Sequence, residues 1–222
     1  MKKTIEVINL TVKSKKENKI ILDNLSFDIF EGEVVLLKGR NGSGKTTLIK
    51  SLIREDYNKY NISGEIVFMD KINVINLKKD RELMNYRSQI GYVPQNDDYS
   101  GHYNLNVSDV ILDSINSYSG KKVALKEIEK KLAGLDFDKG ENVGLERFTF
   151  GSNPNKLSGG QQRILTIMSN VLSRPGAMLY IIDEPLNNLD SKNIPAVVGM
   201  IRELHLLFPK STFLIEIGRA HV

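Results

Sequence analysis

The sequence predicts an α/β fold, with a core around a phosphate-binding loop, an antiparallel β portion before it and a block of helices inserted behind it. Three observations predict this. Lys38-Gly39-Arg40-Asn41-Gly42-Ser43-Gly44-Lys45-Thr46-Thr47 has P-loop spacing, and it lies between the apolar run Val34-Val35-Leu36-Leu37 and the helical stretch 48–53. A second apolar run, 178–182, ends in Asp183-Glu184-Pro185, and ligands of open α/β sheets gather at the carboxyl ends of strands. Ahead of the P-loop the pattern alternates as short antiparallel strands do, whereas beyond residue 96 apolar residues recur at helical spacing.

Composition narrows the class. The 222 residues suit one large domain or one domain with a subdomain, and 41% hydrophobic and 26% charged residues are ordinary for a soluble globular protein. No apolar run is long enough for a membrane-spanning helix. Met1-Lys2-Lys3 begins as a secretory signal does, but Glu6 and Asn9 interrupt the apolar region that a signal needs. The absence of cysteine excludes a disulfide framework and a thiolate metal site, and fits the cytosol. A net charge of +4 is too small and dispersed to indicate nucleic acid, and Lys13, Lys15, Lys16 and Lys19 read as a solvated hairpin loop.

Taken in order, residues 4–12 alternate as a half-buried strand, 20–22 and 25–29 read as two further strands or strand pieces, and Glu31-Gly32-Glu33 turns into the P-loop strand, read as buried. Residues 57–63 read as a polar loop, 64–69 as a strand, 77–86 as a helix, and 90–93 as a short strand stopped by Pro94, with Gln95 next. A polar loop at 96–101 opens a helical insertion with helices over 107–115, with Ser108 as its cap, and over 123–132. Residues 148–155 read as irregular. The segment Leu157-Ser158-Gly159-Gly160-Gln161-Gln162-Arg163 leads into a helix through Leu172, broken at Pro175-Gly176. A fully buried strand over 178–182, a helix over 194–207 with Pro195 in its first turn, and a strand over 211–217 complete the chain. The expected division is an antiparallel β plus P-loop core over 1–95, a helical subdomain over about 96–160, and a core portion over 161–215.

The chemistry rests on residue types. Glycines allow positive φ and close approach, so the amides between Asn41 and Thr46 form a concavity at the positive end of a helix, suited to polyphosphate. Lys45 reaches the β- and γ-phosphates, and the Thr46 hydroxyl serves Mg²⁺. Asp183 is placed to hold Mg²⁺ and Glu184 to polarise a water against the γ-phosphate. Ser158 and the amides behind it open a second anion-binding helix N-terminus, economical if it completes the same phosphate from another side.

This set resembles the nucleotide-binding domain of ABC transporters, a RecA-like P-loop NTPase core. Gly39–Thr47 resembles the family's Walker A, Gln95 its Q-loop, Leu157–Gln161 its LSGGQ signature letter for letter, 180–184 its Walker B, and Asn187-Asn188-Leu189-Asp190 its D-loop. The resemblance implies an ATPase in which two such domains pair head-to-tail around two ATPs, as a homodimer or with another ATP-binding subunit. It implies that Gly39, Asn41, Gly42, Ser43, Gly44, Lys45, Thr46 and Thr47 bind phosphate and Mg²⁺, and that Gln95 touches the Mg²⁺ or the attacking water. Ser158, Gly159, Gly160 and Gln161 would clamp the other subunit's ATP, Asp190 would belong to the D-loop, and Glu184 would be the general base. It further implies a transmembrane permease as partner and a cytoplasmic, peripheral position on the inner face of the cell membrane, with no nucleic acid partner. The alternative is a soluble non-transport ABC ATPase, for iron–sulfur assembly or linked to nucleic acid. The long coiled coil of repair-type relatives has no room between Thr47 and Leu157, and translation-factor relatives carry two such domains.

Two departures stand out. Asn9-Leu10 is followed by Thr11, Val12, Lys13 and Ser14, without the family's adenine-stacking aromatic. The family's switch histidine would fall near Gly218, and residues 216–222, Glu-Ile-Gly-Arg-Ala-His-Val, match the translation of a common sequencing adapter. The expectation is a true chain running on past Ile215, a His221 about three residues (~10 Å of extended chain) beyond the switch slot, and a chain as written that captures ATP but turns it over poorly.

Overall fold

Strand β1 (Lys3–Ser14) opens a computed structural model that describes residues 2–95, 105–119, 151–187 and 189–218, with side chains through 116 in the second range. Its alternation buries Ile5, Val7, Leu10 and Val12 on one face. β1 pairs antiparallel with β2 (Ile20–Phe30) and with β4 (Tyr60–Phe68), and β5 (Ile72–Asn73) extends the sheet in the order β2-β1-β4-β5. Both of β1's pairings shift register around Asn9, which sits at φ 48°. This is a bulge, which locally bends a strand. Gly64 (φ 93°) backs onto it, and a Cβ there would stand 2.6 Å from the Ile8 carbonyl oxygen.

The second sheet has the order β3-β8-β7-β6. It holds β3 (Val34–Lys38), β8 (Thr212–Ile217), β7 (Leu179–Ile182) and β6 (Ile90–Val93), and β8 runs parallel to both β3 and β7. Among the described residues the α-helices are α1 (Lys45–Leu52), α2 (Asp80–Ser88), α3 (Val107–Ser119), α4 (Gly159–Ser173) and α5 (Ile194–Leu207). The chain divides into two units. One is Met1–Gly91, Ala177–Asp183 and Lys210–Val222, and the other is Tyr92–Gly176 and Glu184–Pro209.

In the first unit, Tyr180 and Phe213 stack at 4.9 Å between ring centroids, and the Tyr86 ring meets Phe68 edge-on at 5.2 Å. The Tyr86 hydroxyl donates to the Leu52 carbonyl, tying α2 to the end of α1. Burial pushes that phenol well above its ordinary pKa, so it remains a donor. In the second unit, α4 packs against α3 and α5, and the Val107 N–H donates to the Ser152 carbonyl at 2.9 Å.

Several expectations change. The P-loop strand β3 is not buried. Val34 and Leu36 are 45% and 48% exposed, because β3 lies at the end of its sheet order. Residues 60–63 are strand rather than loop, since pairing with β1 (Ser14↔Tyr60 through Thr11↔Ser63) outweighs their polar character. The two pieces expected over 20–29 are one strand. Helix α2 starts at Asp80, not 77. A single 3-10 turn (Val74–Asn76) precedes it, the Leu77 carbonyl accepts from Arg54 Nη2 at 3.0 Å, and Asp80 and Glu82 suit the positive end of the helix. Ser108 is the second residue of α3 and not its cap; Asp109 Oδ2 accepts from the Asn106 N–H at 2.8 Å. Lys15, Lys16 and Lys19 of the lysine-rich loop are exposed as expected, whereas Lys13 lies in β1, paired with Ile20 and Asn61, and is half-buried. Met178 lies just outside β7 and is exposed. The helix expected over 123–132, the loop over 96–101 and residues 148–150 lie outside the described residues.

The turn joining β4 to β5 is closed by the Lys71 N–H on the Phe68 carbonyl at 3.1 Å, with Met69 and Asp70 at φ 54° and 56°. Such a turn favours Asn at its first central position, and Met carries the left-handed penalty without compensation. Met69→Asn should raise the urea midpoint, with a gain of about 0.5–1 kcal/mol. An unchanged or lower midpoint would count against this account of the turn.

Candidate functional site

The P-loop leaves β3 at Lys38 and enters α1 at Lys45. The Ser43 N–H closes a turn on the Arg40 carbonyl at 3.1 Å, with Gly42 and Gly44 at φ 77° and 94°. Gly44 is glycine for two reasons. It caps α1 in the left-handed region, and a Cβ there would meet Leu22 Cδ2 at 2.7 Å. A Cβ on Gly42 would meet nothing within 4 Å, so the loop is open there. Helix α1 has no side-chain cap and no acidic residue in its first turn, leaving its positive end to an external anion. Asn41, Gly42, Ser43 and Thr46 are exposed, while Gly39, Gly44 and Thr47 are half-buried.

Lys45 folds back over its own loop. Its Nζ donates to the Gly39 and Arg40 carbonyls at 3.0 and 3.3 Å and lies 3.1 Å from Glu216 Oε1. The two side chains are 8% and 1% exposed. The pairing of Leu37 with Glu216 across β3 and β8 brings this carboxylate beside the loop. Sequence reasoning missed the contact. Its only sequence signal was a lone acid, Glu216, inside an apolar final strand, and that acid opens the 216–222 stretch that matches adapter sequence. Asp183 comes directly after β7 and is buried in the same unit. Among the described residues no group of three His, Cys, Asp or Glu could hold a metal ion. The donors present, a Thr hydroxyl and one carboxylate, instead suit Mg²⁺, which takes few protein ligands alongside phosphate and water.

The second unit carries the rest. Ser158 caps α4 in a complete capping box: its Oγ accepts from the Gln161 N–H at 3.4 Å, and Gln161 Oε1 accepts from the Ser158 N–H at 3.0 Å. Ser158 and Gly159 are exposed, and a Cβ on Gly159 would meet open space. Gly160 is buried, and a Cβ there would stand 2.8 Å from Asn193 Cγ. This glycine thus has a packing reason that spacing did not reveal. Glu184 takes φ 45°, unusual for a non-glycine residue and more so before proline, and the Asn187 N–H closes a turn on its carbonyl at 3.1 Å. Gln95 Nε2 donates to Glu184 Oε2 at 2.6 Å, so two residues chosen separately from the sequence are brought together. Asp190 is exposed, with Lys192 Nζ 3.8 Å from its Oδ2. Asn188 of the D-loop and His221 lie outside the described residues.

Comparison with known proteins gives consistent relatives. Residues 22–187 match the family model described as ABC transporter. The chain is 33% identical to a phosphonates import ATP-binding protein of Treponema denticola over 205 residues, covering 90% of this chain and 74% of that protein. It is 31% identical to a dipeptide transport ATP-binding protein of Lactococcus lactis, covering 91% of this chain and 63% of that one. Among solved structures, an ATP-binding subunit of an ABC transporter superposes with a TM-score of 0.68 at 25% identity, over 97% of this chain and 80% of that one. The cbiO1 subunit of Clostridium perfringens, at 23% identity and a TM-score of 0.74 over 98% and 79%, shares the fold.

The Lys45–Glu216 pair generates a prediction. A carboxylate 3.1 Å from the ammonium would compete with any phosphate for it, so Glu216→Ala should tighten binding of a fluorescent ATP analogue about tenfold, about 1.4 kcal/mol. Weaker binding in that titration would mean that Glu216 holds Lys45 in position for the nucleotide.

Proposed function

We propose a working cycle for this chain, which belongs to the ABC transporter family and is an ATP-binding, ATP-hydrolysing transport subunit. In the first unit, Lys45 turns from the Gly39 and Arg40 carbonyls and Glu216 to the β- and γ-phosphates of ATP, which the amides from Asn41 to Thr46 cradle. Gly39 gives the loop its close turn, and Thr47 continues the phosphate-binding end of α1. Thr46 and Asp183 would hold the Mg²⁺ that accompanies ATP and would offset phosphate charge, and Gln95 is the further residue assigned to that ion. Glu184 takes a proton from water. The water oxygen bonds to the γ-phosphorus as the bond to the ADP oxygen breaks, leaving ADP and phosphate. Gln95, already hydrogen-bonded to Glu184, orients that water.

Ser158, Gly159, Gly160 and Gln161 act on the ATP of a second subunit, either another copy or a related ATP-binding protein, with Asp190 in the facing D-loop. The observation that carries this part is the start of α4. A capped, positive helix end stands exposed at Ser158 and Gly159, with open space above Gly159, and no acidic residue sits in the helix's first turn. Pairing of two subunits drives a membrane permease, and hydrolysis resets it. The relatives named as transport ATP-binding proteins support a separate membrane partner and a peripheral position on the inner face of the cell membrane; among the described residues no helix is long and apolar enough to cross a membrane. The named relatives are transport proteins, which favours transport over iron–sulfur assembly or a nucleic-acid-linked role.

Changing Glu184→Gln removes the proton acceptor and keeps the Gln95 contact geometry open to an amide. Turnover of MgATP should fall by about 10²–10⁴-fold, while ATP should accumulate on a dimer visible by sedimentation velocity. A variant that hydrolyses ATP as fast as the parent would remove Glu184 from the role of base.

A further inference from the structure

Arg163 has no assigned role in this cycle, yet it is the largest fully buried side chain of the described residues, 2% exposed on α4. The neighbouring positions of that helix, Ile164, Leu165, Ile167 and Met168, are buried and apolar. A methionine or leucine would fill such a site without the cost of dehydrating a guanidinium, which is several kcal/mol unless oxygen partners replace water. The charge therefore has a local use. Arg163 Nη1 donates to the Pro94 carbonyl at 2.7 Å and to the Gln95 carbonyl at 3.3 Å. These are consecutive main-chain groups just after β6. The Gln95 side chain then donates to Glu184 Oε2 at 2.6 Å. All four residues belong to the second unit.

We propose that Arg163 is a positioning residue: from the opening of the signature helix it fixes the main chain at Pro94 and Gln95, and so holds the Gln95 amide on Glu184. Ser158 lies five residues before it on the same capped helix start, so one helix start carries both the signature turn and the anchor of the Gln95–Glu184 pair. Without the guanidinium, the Pro94 and Gln95 carbonyls lose the shared donor that fixes them to α4. Arg163→Lys keeps a positive donor but loses the planar geometry, and it can satisfy one carbonyl more readily than two. The inference rests on Glu184 acting as the base and Gln95 as its partner.

The test is a double-mutant cycle in the full chain, reading MgATP turnover and, separately, the dissociation constant of a fluorescent ATP analogue. Arg163→Met should lower turnover at saturating ATP by about 10-fold or more while nucleotide affinity changes less than about twofold, and Arg163→Lys should restore part of the loss. In a Gln95→Ala background, Arg163→Met should add little further loss, because both changes remove one arrangement. Additive losses, or a parallel loss of affinity and thermal stability that Arg163→Lys fails to reverse, would reduce Arg163 to a packing role and overturn the inference. If Gln95→Ala and Glu184→Gln themselves leave turnover intact, the underlying assignment of the base fails instead.

Discussion

A buried ammonium group has to be given oxygen partners, and much of the nucleotide half of this molecule is arranged around that need. Lys45 sits at the first position of α1, where the chain leaves a tight loop, and it is almost wholly withdrawn from water. Two loop carbonyls and the Glu216 carboxylate meet it. Parallel pairing of β3 with β8 brings that carboxylate within reach, so the sheet register sets the electrostatic state of the loop. In the proposed cycle this loop gives its lysine to a polyphosphate, so Lys45 exchanges the Glu216 carboxylate for phosphate charge.

The two helix N-termini of the chemistry are treated differently by the fold. Helix α1 begins at a glycine with no side-chain cap, so its amides lack a local acceptor and suit direct capture of a ligand. Helix α4 begins at Ser158 with both halves of a capping box formed, although the hydroxyl contact is long at 3.4 Å. A helix end that is already capped holds its shape without ligand and offers the outward side of Ser158 and Gly159 to a visitor. This difference fits one end that captures nucleotide and another that completes the site of a second subunit. Behind α4, Arg163 ties that preformed end to the backbone of Gln95, and Gln95 to Glu184. The left-handed backbone of Glu184 adds a local strain of the sort found where a side chain must be aimed.

The parts of this site legible in the sequence are those that one stretch of chain encodes by itself. The P-loop, the signature and the acidic end of β7 each announce themselves through spacing and flanking periodicity; α4 formed where its apolar repeat and Ser158 place it, and α5 where its apolar repeat and Pro195 do. The illegible parts depend on residues far apart in the chain. Gln95 and Glu184 are 89 positions apart, and Arg163 and Pro94 are 69 apart. No local pattern pairs them. The exposure of β3 escaped for a related reason, since a four-residue apolar run looks the same at the edge of a sheet as at its centre. Residues 60–63 show tertiary pairing overriding composition, and α2 shows a helix start set by a 3-10 turn and two acids and not by hydrophobic period. The glycine at 160 was readable as part of a motif, but its contact with Asn193 was not.

The central proposal is that the P-loop of this chain captures ATP and the start of α4 completes the site of a different subunit. Placing a bulky cation at the exposed helix start, Ser158→Arg, tests it most directly when ATP binding by the monomer and turnover by the assembled protein are measured on the same preparation. The account predicts that the monomer binds ATP as the parent does, because the P-loop is untouched, while turnover and ATP-dependent dimerisation are lost. Loss of ATP binding by the monomer would contradict it, since Ser158 would then belong to the same subunit's nucleotide site.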